Sequence, residues 1–368
     1  MDTYDLLAKL VRSSLEFDKK NVEATALMIV NKIKKERPET AAEITKALSY
    51  SGYESSTARS LDMSPLPVDR ETRYSLVKLS EPVEIPDPIL DEYVRRQLDD
   101  FIKEREMITK FLDEDIIPPN SVLLSGAPGV GKTYIARWIS YKLNLPLVTL
   151  DLASSISSFL GRSGQNIRSI FEYAINQNAV LFLDELDSIA KRRDDSSDLG
   201  ELKRLVNVLL KELESCPSTC VVIGATNHPE LLDKAIWRRF DRSLTIPMPE
   251  ENARMQLLQR HLGKLNQAAK KTTVEYLSRN AKNINAADIC KMCEHIKRQT
   301  LINSDQSVDL LALAELFKVS QLETREEKIL ICKQLKKEFP KLSQREISQI
   351  TQIPLTSVSR YLAKGMEE

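Results

Sequence analysis

Eight consecutive residues, Gly126 to Thr133, read Gly-Ala-Pro-Gly-Val-Gly-Lys-Thr and have the spacing of a loop that binds polyphosphates. Glycines allow backbone N–H groups to converge on phosphate oxygens, since no Cβ stands in the way. We predict that the Lys132 ammonium reaches the β- and γ-phosphates and that the Thr133 hydroxyl is a ligand of Mg²⁺. The predicted nucleotide contacts are Gly126, Ala127, Pro128, Gly129, Val130, Gly131, Lys132, Thr133 and Tyr134.

A pair of carboxylates, Asp184 and Glu185, follows the apolar run Val180 to Leu183. Such a run is typical of a strand that is buried on both faces of a parallel sheet, and ligands bind at the carboxyl ends of these strands. We predict that Asp184 holds Mg²⁺, mainly through water, and that Glu185 orients and deprotonates an attacking water. The alternative is that Glu185 only caps the helix that follows.

The segments around the glycine-rich loop have the order that this chemistry requires. Ser121 to Ser125 contains a Val-Leu-Leu run that predicts a short buried strand, and Tyr134 to Lys142 has helical spacing. A chance match of the loop pattern is the alternative, and the strand-loop-helix order disfavours it. Another apolar run, Cys220 to Ala225, leads to Asn227, whose amide is suited to hydrogen-bond a γ-phosphate and the attacking water.

Two adjacent arginines, Arg238 and Arg239, follow on a short predicted helix. Two neighbouring guanidinium groups cannot both be buried in their own subunit without partners. These two side chains are therefore either solvated or available to bind an anionic group.

Four segments together resemble the AAA clade of AAA+ ATPases, the group that contains katanin, spastin and FtsH. The resemblance extends over about residues 85–300. It implies an α/β fold with a parallel five-stranded sheet flanked by helices, and a helical lid. It also implies a homo-hexameric ring with ATP between subunits, in which Asn227 is a sensor residue and Arg238 and Arg239 reach the neighbour's γ-phosphate. The four segments are Gly126–Thr133, Leu183–Asp187, Gly224–Asn227 and Ala235–Arg242.

Two further segments match positions of this family. Phe159 and Leu160, followed by a glycine, resemble the loop that lines the pore of the ring and grips an extended polypeptide. The alternative for Phe159 is a place in the core. Residues 283–289 resemble the Gly-x-Ser-Gly-Ala-Asp segment at the start of a lid helix, although the glycines and the serine are replaced. Asn285 can still serve as the N-cap of that helix.

The composition sets few limits on partners. The chain has 368 residues with 53 basic and 53 acidic side chains, so its net charge gives no overall attraction to nucleic acid or membrane. No apolar run approaches the roughly 18 residues of a membrane-spanning helix, and the first residues lack the basic start of a secretory signal. A cytoplasmic protein without a membrane partner is predicted. The five cysteines lack the paired spacing of a zinc site and are predicted to be reduced structural thiols.

The predicted organisation has five parts. Apolar residues at helical spacing over 1–50 predict a helical recruitment domain, and Ser, Gly and Pro over 51–87 predict a linker. The large α/β ATPase subdomain is predicted over 88–248 and the helical lid over 249–318. The remaining residues, 319–368, form a carboxyl-terminal segment.

That last segment contains a sequence, residues 345–362, that resembles the helix-turn-helix of bacterial repressors. Pro354 marks the turn, and Gln352 stands where a glycine is common. Over 325–364 nine basic and four acidic residues give a local net charge of 9 − 4 = +5, which favours contact with duplex DNA. The alternative is a helical bundle that only docks on the ring. The predicted major-groove contacts are Thr356, Ser357, Ser359 and Arg360.

Two hypotheses of function follow. The first is a ring ATPase that threads and unfolds protein clients, and feeds a separate protease or nuclease partner in a bacterial mobile-element or phage-defence system, since the chain contains no protease motif of its own. The second is a DNA-recruited ATPase switch or sensor. A nucleotide-binding scaffold without turnover is a third interpretation, which the presence of Glu185, Asn227 and Arg238 disfavours.

Overall fold

The computed structural model describes residues 66–67, 75–152, 163–188, 199–302, 306–320 and 324–363, together with residues 25, 29, 30, 32 and 40. The chain divides into two compact units, Met1–Pro65 and Leu66–Glu368. In the first unit the five described residues are helical, and Thr25, Ile29 and Val30 are buried. The rest of the helical segment predicted over 1–50 lies outside the described residues.

The second unit is built on a six-stranded sheet. Its strands are β1 (Lys78–Ser80), β2 (Ser121–Ser125), β3 (Leu147–Asp151), β4 (Val180–Asp184), β5 (Val221–Thr226) and β6 (Arg242–Thr245). Their order is β1-β3-β4-β5-β2-β6. The five strands from β2 to β6 pair in parallel, as predicted. The sixth, β1, pairs antiparallel with β3 and was not predicted.

The prediction of a linker over residues 51–87 is wrong for part of the second half of that segment. Leu76 and Val77 are buried in a hydrophobic cluster, Leu66 and Leu79 pack against that cluster, and Leu79 is the register partner of Val148 on β3. Three-residue strands are too short for an alternating pattern to be read from sequence. Pairing with the sheet edge and burial of these side chains outweigh the loop-like local composition.

Six of the helices that the structure describes accompany the sheet. They are α1 (Glu92–Glu106), α2 (Ile108–Asp113), α3 (Lys132–Leu143), α4 (Ser163–Asn176), α5 (Leu199–Ser215) and α6 (Lys234–Trp237). Alternate strand residues contribute to two different cores. Val122 joins Leu98 of α1 and Trp138 of α3 in one hydrophobic cluster, whereas Leu123 joins Leu209 of α5 in the other. The sheet is therefore buried on both faces, which holds its carboxyl edge in a fixed position.

The remaining eight helices form one further body of the second unit. They are α7 (Glu251–Leu262), α8 (Leu265–Ala268), α9 (Lys271–Asn280), α10 (Ala286–Ile302), α11 (Val308–Ser320), α12 (Arg325–Glu338), α13 (Gln344–Thr351) and α14 (Leu355–Ala363). Buried side chains of the lid and of the carboxyl-terminal segment belong to a single hydrophobic cluster, which contains Leu277 and Leu313 together with Ile350 and Val358. The boundary predicted at 319 falls inside α11, and the last three helices complete the core of the lid.

The helices α13 and α14 are joined by a short turn over residues 352–354. Ser343 and Glu346 form a capping box that starts α13. Gln352 ends α13 with a left-handed φ of 58°, at the position where a glycine is common. The Ser348 Oγ donates a hydrogen bond of 2.6 Å to the Ile353 carbonyl and closes the turn. The isoleucines of this segment are buried, as the predicted packing requires.

In the described part of the chain, no helix combines the length and apolar character needed to cross a membrane. The five cysteines are free thiols. Over the same residues, no group of three or more His, Cys, Asp or Glu side chains is arranged to hold a metal ion.

Candidate active site

The glycine-rich loop joins β2 to α3 at the carboxyl edge of the sheet. Gly126 has a φ of +149° and Gly129 a φ of +79°, which L side chains rarely adopt. A Cβ on Gly126 would also lie only 2.4 Å from the backbone oxygen of Ile246. Because α3 begins at Lys132, its free N–H groups and the positive end of its dipole meet the loop, which makes this a natural position for an anion.

The Lys132 ammonium is hydrogen-bonded to Asn227, another predicted site residue. Its Nζ donates to the carbonyls of Gly126 at 2.7 Å and Ala127 at 3.0 Å, and to the Asn227 Oδ1 at 2.7 Å. Burial lowers the pKa of Lys132, while the negative charge of Asp184 opposes that shift. The two side chains predicted to meet a γ-phosphate are therefore brought together, at the loop that holds the lysine.

Thr133 and Asp184 also meet, as two ligands of one metal ion must. The Thr133 hydroxyl donates to the Asp184 Oδ2 over 3.3 Å. Burial raises the pKa of Asp184, and a nearby cation would oppose that shift. Oxygen donors supplied by one carboxylate and one hydroxyl fit Mg²⁺, which keeps several waters and takes further ligands from phosphates.

Glu185 occupies a strained position immediately after β4. Its φ is +55°, and backbone conformations of this kind cost about 1–3 kcal/mol in residues other than glycine. The strain persists because the surroundings fix the chain: the Glu185 N–H donates to the Asp184 Oδ1 at 2.9 Å, and the Leu186 N–H donates to the Ala225 carbonyl at 2.9 Å. The Glu185 side chain is exposed beside Asp184, where the predicted role requires it.

Asp187 has a positioning role that sequence reasoning missed. This carboxylate is buried, and its Oδ1 accepts from the Thr226 hydroxyl at 3.0 Å and from the Asn227 N–H at 3.1 Å. It therefore ties the end of β5 to the segment after β4 and fixes the backbone that presents the Asn227 amide. The sequence feature that could have indicated this role is Asp187 itself, a further acid close after Asp184 in an apolar segment. A buried carboxylate needs hydrogen-bond partners.

A cavity of about 480 Å³ lies between the glycine-rich loop and the lid. This volume is in the range of small-molecule sites. Its wall contains Lys132, Thr133, Tyr134, Asp184, Glu185 and Asn227, which were predicted. Sequence reasoning missed the other side of the cavity, which is formed by Pro88, Ile89, Leu90, Leu257, Arg260, His261, Ala286, Ala287 and Cys290.

The segment before α1 is fixed to both bodies that enclose the cavity. The Asp87 carboxylate accepts from the Arg95 Nη2 at 2.8 Å and from the Trp138 Nε1 at 2.9 Å, and the Arg95 guanidinium holds the pKa of Asp87 well below its usual range. The Tyr134 hydroxyl donates to the Pro86 carbonyl at 2.6 Å. From the lid, the Arg260 Nη1 donates to the Asp87 carbonyl at 2.6 Å. Residues 86–90 thus join the lid to the sheet.

The lid also contacts the phosphate side directly. The Asn285 Oδ1 accepts from the Asp288 N–H at 2.8 Å, which is the predicted N-cap of α10. The Ala287 N–H donates to the Gly129 carbonyl at 2.9 Å. A Cβ on Gly129 would lie 2.6 Å from the Asn285 side chain, so the loop needs glycine here for a second reason. The start of α10 therefore rests on the glycine-rich loop.

Arg238 and Arg239 are exposed after α6, and neither lines the cavity of its own subunit. The Arg239 Nη2 lies 3.2 Å from the Glu214 Oε2. Within the described residues, the Arg238 side chain has no hydrogen bond or ion pair. Asp233 caps α6 by accepting from the Ala235 N–H at 2.9 Å and so fixes the helix that carries both arginines.

The other predicted site residues lie elsewhere. Phe159 and Leu160 fall outside the described residues. On α14, Thr356 and Arg360 are exposed and Ser357 is half-buried. Ser359 was expected to be free, but its hydroxyl donates to the Gln344 Oε1 at 2.7 Å, because α13 begins beside this turn of α14.

Comparison with known proteins supports the resemblance to AAA ATPases that the sequence motifs indicate. The ATPase family associated with various cellular activities (AAA) matches residues 122–248. An uncharacterized AAA family ATPase of Sinorhizobium fredii, y4kL, is 34% identical over 228 residues, which cover 62% of this chain and 69% of that protein. A proteasome-activating nucleotidase of Methanococcus maripaludis is 35% identical over 185 residues, which cover 48% of this chain and 45% of the relative. The chain thus spans about half the length of that nucleotidase.

A solved structure shares the fold. The FIGL-1 AAA domain in complex with ADP has a TM-score of 0.55 and 23% identity, with 72% of this chain and 94% of that chain covered. The family match spans the glycine-rich loop and the carboxylates after β4. The chain belongs to the AAA family and is an ATPase.

Proposed function

We propose that the chain assembles into a homo-hexameric ring, binds ATP with Mg²⁺ between subunits, and uses hydrolysis to remodel or unfold protein clients. The observation that carries this proposal is the incompleteness of the cavity in one subunit. Among the described residues, Lys132 and Arg260 are its only Lys or Arg side chains, while Arg238 and Arg239 are exposed outside it. Arginines supplied by the neighbouring subunit would complete the charge around the γ-phosphate.

Each residue of the site has a distinct part in this proposal. Bound Mg²⁺, held by Thr133 and Asp184, would neutralise charge on the phosphates. When ATP binds, the Lys132 ammonium would release its hydrogen bonds to the loop carbonyls and donate to phosphate oxygens. Glu185 would accept a proton from the attacking water, and the Asn227 amide would hold that water or the γ-phosphate in line.

The proposed client is a polypeptide. Support comes from the similarity to proteasome-activating nucleotidases, whose name connects them to a protease, and from the aromatic-hydrophobic pair Phe159 and Leu160 in a pore-loop sequence. A separate protease or nuclease would then act on what the ring delivers, and we place this system in bacterial defence or mobile elements.

The Glu185→Gln variant tests the catalytic assignment. It should retain ATP binding and lose turnover by about 10²–10⁴-fold, because the amide cannot accept the proton of the water. Nucleotide affinity and steady-state phosphate release would be measured in parallel. Glu172→Gln on α4 is the matched control, since Glu172 is exposed and distant from the cavity wall. Normal turnover in Glu185→Gln would remove Glu185 from this role.

Mixing experiments test whether the site is shared between subunits. Arg238→Ala alone should lose about 10³–10⁵-fold in rate. Lys132→Ala alone should also be inactive, because nucleotide binding is lost. Mixed rings should recover part of the activity, since an Arg238→Ala cavity can face an intact arginine on a Lys132→Ala neighbour. If mixtures stay as inactive as the separate variants, Arg238 does not act across the interface.

The Phe159→Ala variant tests the work step. ATP turnover should persist while unfolding of a tagged fluorescent client is lost, because the side chain is proposed to grip the polypeptide and not the nucleotide. Turnover and loss of client fluorescence would be recorded in one reaction. An unchanged unfolding rate would show that Phe159 is not the gripping residue.

A second candidate function is a DNA-recruited ATPase switch or sensor. The observation that favours it is the pair of short helices α13 and α14, joined by a turn over residues 352–354, on a basic segment. In this proposal duplex DNA recruits the ring through α14, and nucleotide state is read by a downstream partner. Both candidates use the same ATPase cycle, and they differ in what triggers it.

Duplex DNA should raise ATP turnover of the full chain if the second candidate is right. The increase should be lost in Arg360→Ala and kept in Lys211→Ala, which removes an exposed cation from α5. Truncation of the last helices is unsuitable, because Ile347, Ile350 and Val358 belong to the lid core. Turnover that does not respond to DNA would leave the remodelling function as the better account.

A further inference from the structure

The helix α14 has a buried side and a polar exposed side. Val358 and Tyr361 are buried against the lid core. Thr356 and Arg360 are exposed and four residues apart, which places them on the same face of the helix. The Arg360 guanidinium lies 5.6 Å from the Tyr361 ring and makes no ion pair within the described residues. The exposed side therefore offers one hydroxyl and one unneutralised cation.

Additional positive charge lies beside this face. The bond between Ser359 and Gln344 places the first turn of α13 next to the middle of α14, and Arg345 is the next residue of that turn. Lys341 precedes that turn. Both cations are exposed, and neither has an ion pair in the part of the chain that the structure describes.

Two nearby carboxylates contact other groups. The Glu346 Oε2 accepts from the Ser343 N–H at 2.7 Å in the capping box. The Glu338 Oε2 lies 3.7 Å from the Arg279 Nη2 of α9. With all four acids of residues 325–364 counted, basic residues in this segment still exceed acidic ones by five.

This surface is held rigidly on the lid. Tyr276 of α9 packs edge-to-face on Phe339 with ring centroids 5.5 Å apart. The Gln334 Nε2 reaches the Asn280 Oδ1 at 3.5 Å, and the buried side chains of α13 and α14 share the lid core. The lid in turn rests on the glycine-rich loop through Ala287 and Gly129. A partner bound at α14 would sit on the body that covers the nucleotide cavity.

We propose that Lys341, Arg345, Thr356 and Arg360 form a binding surface for duplex DNA, with α14 in the major groove and Lys341 and Arg345 on phosphates. An α-helix fits the major groove, where Arg and Thr can read base edges. Exposed cations that make no ion pair within the described residues would attract the phosphates of a duplex. This surface would give the second candidate function its trigger, and the inference rests on that function.

Binding would be measured on the full chain by fluorescence anisotropy with a labelled duplex of mixed sequence, over a series of salt concentrations. The wild type should bind, with log affinity falling linearly as log salt rises. Arg345→Ala should weaken binding to all sequences and reduce that slope by about one. Arg360→Ala should weaken binding about tenfold, because it removes a groove contact. Lys211→Ala should bind as the wild type does.

The outcomes separate the inference from the function on which it rests. Thermal unfolding of each variant checks that the exposed substitutions leave the fold intact. No binding by the wild type at low salt, or equal binding by wild type and Arg345→Ala, overturns the inference. Binding that depends on these residues without any change in ATP turnover supports the surface and refutes the DNA-triggered switch. Binding to an acidic polypeptide in place of the duplex would assign the surface to protein and overturn it.

Discussion

The parallel pairing of β2, β4 and β5 is the constraint on which the site depends. Ser125 at the end of β2 is the register partner of Thr226, and Leu183 is the partner of Gly224. Groups that are far apart in sequence consequently emerge together at one edge of the sheet. The contacts of Lys132 with Asn227, and of Thr133 with Asp184, are direct consequences of this register. A slip by one residue would turn Asp184, the last residue of β4, to the opposite face of the sheet.

The same edge concentrates unfavourable features that the rest of the fold must support. Lys132 and Asp187 are buried, and Glu185 has a left-handed backbone. Each is stabilised by specific bonds to neighbouring strands or to the glycine-rich loop, and the sheet that supplies these neighbours is covered on both faces. Strain and buried charge of this kind are common where a site is preorganised for a ligand. Asp187 illustrates the principle, since one buried carboxylate oxygen fixes the backbone that carries Asn227.

Fusion of the carboxyl-terminal helices with the lid changes how the tail can be understood. An independent module on a flexible linker would have its own core, whereas here Ile350 and Val358 share one with Leu277 and Leu313. The helix α14 and the lid residues that line the nucleotide cavity therefore belong to one packed body. Allosteric coupling requires an element of this kind, which both sites can bias. The proposed DNA-binding surface and the lid side of the proposed ATP site thus belong to the same group of helices.

The sequence by itself determined the parts whose chemistry is local. The spacing from Gly126 to Thr133 defined the phosphate loop, the apolar run before Asp184 defined a buried strand, and Pro354 marked the turn after α13. Tertiary structure alone decided the rest. The strand β1, the Asp87 contacts of the segment before α1, the role of Asp187, the Ser359–Gln344 bond and the joint core of lid and tail each depend on residues distant in sequence. Local patterns record which face of an element is apolar, but they do not record which distant element covers it.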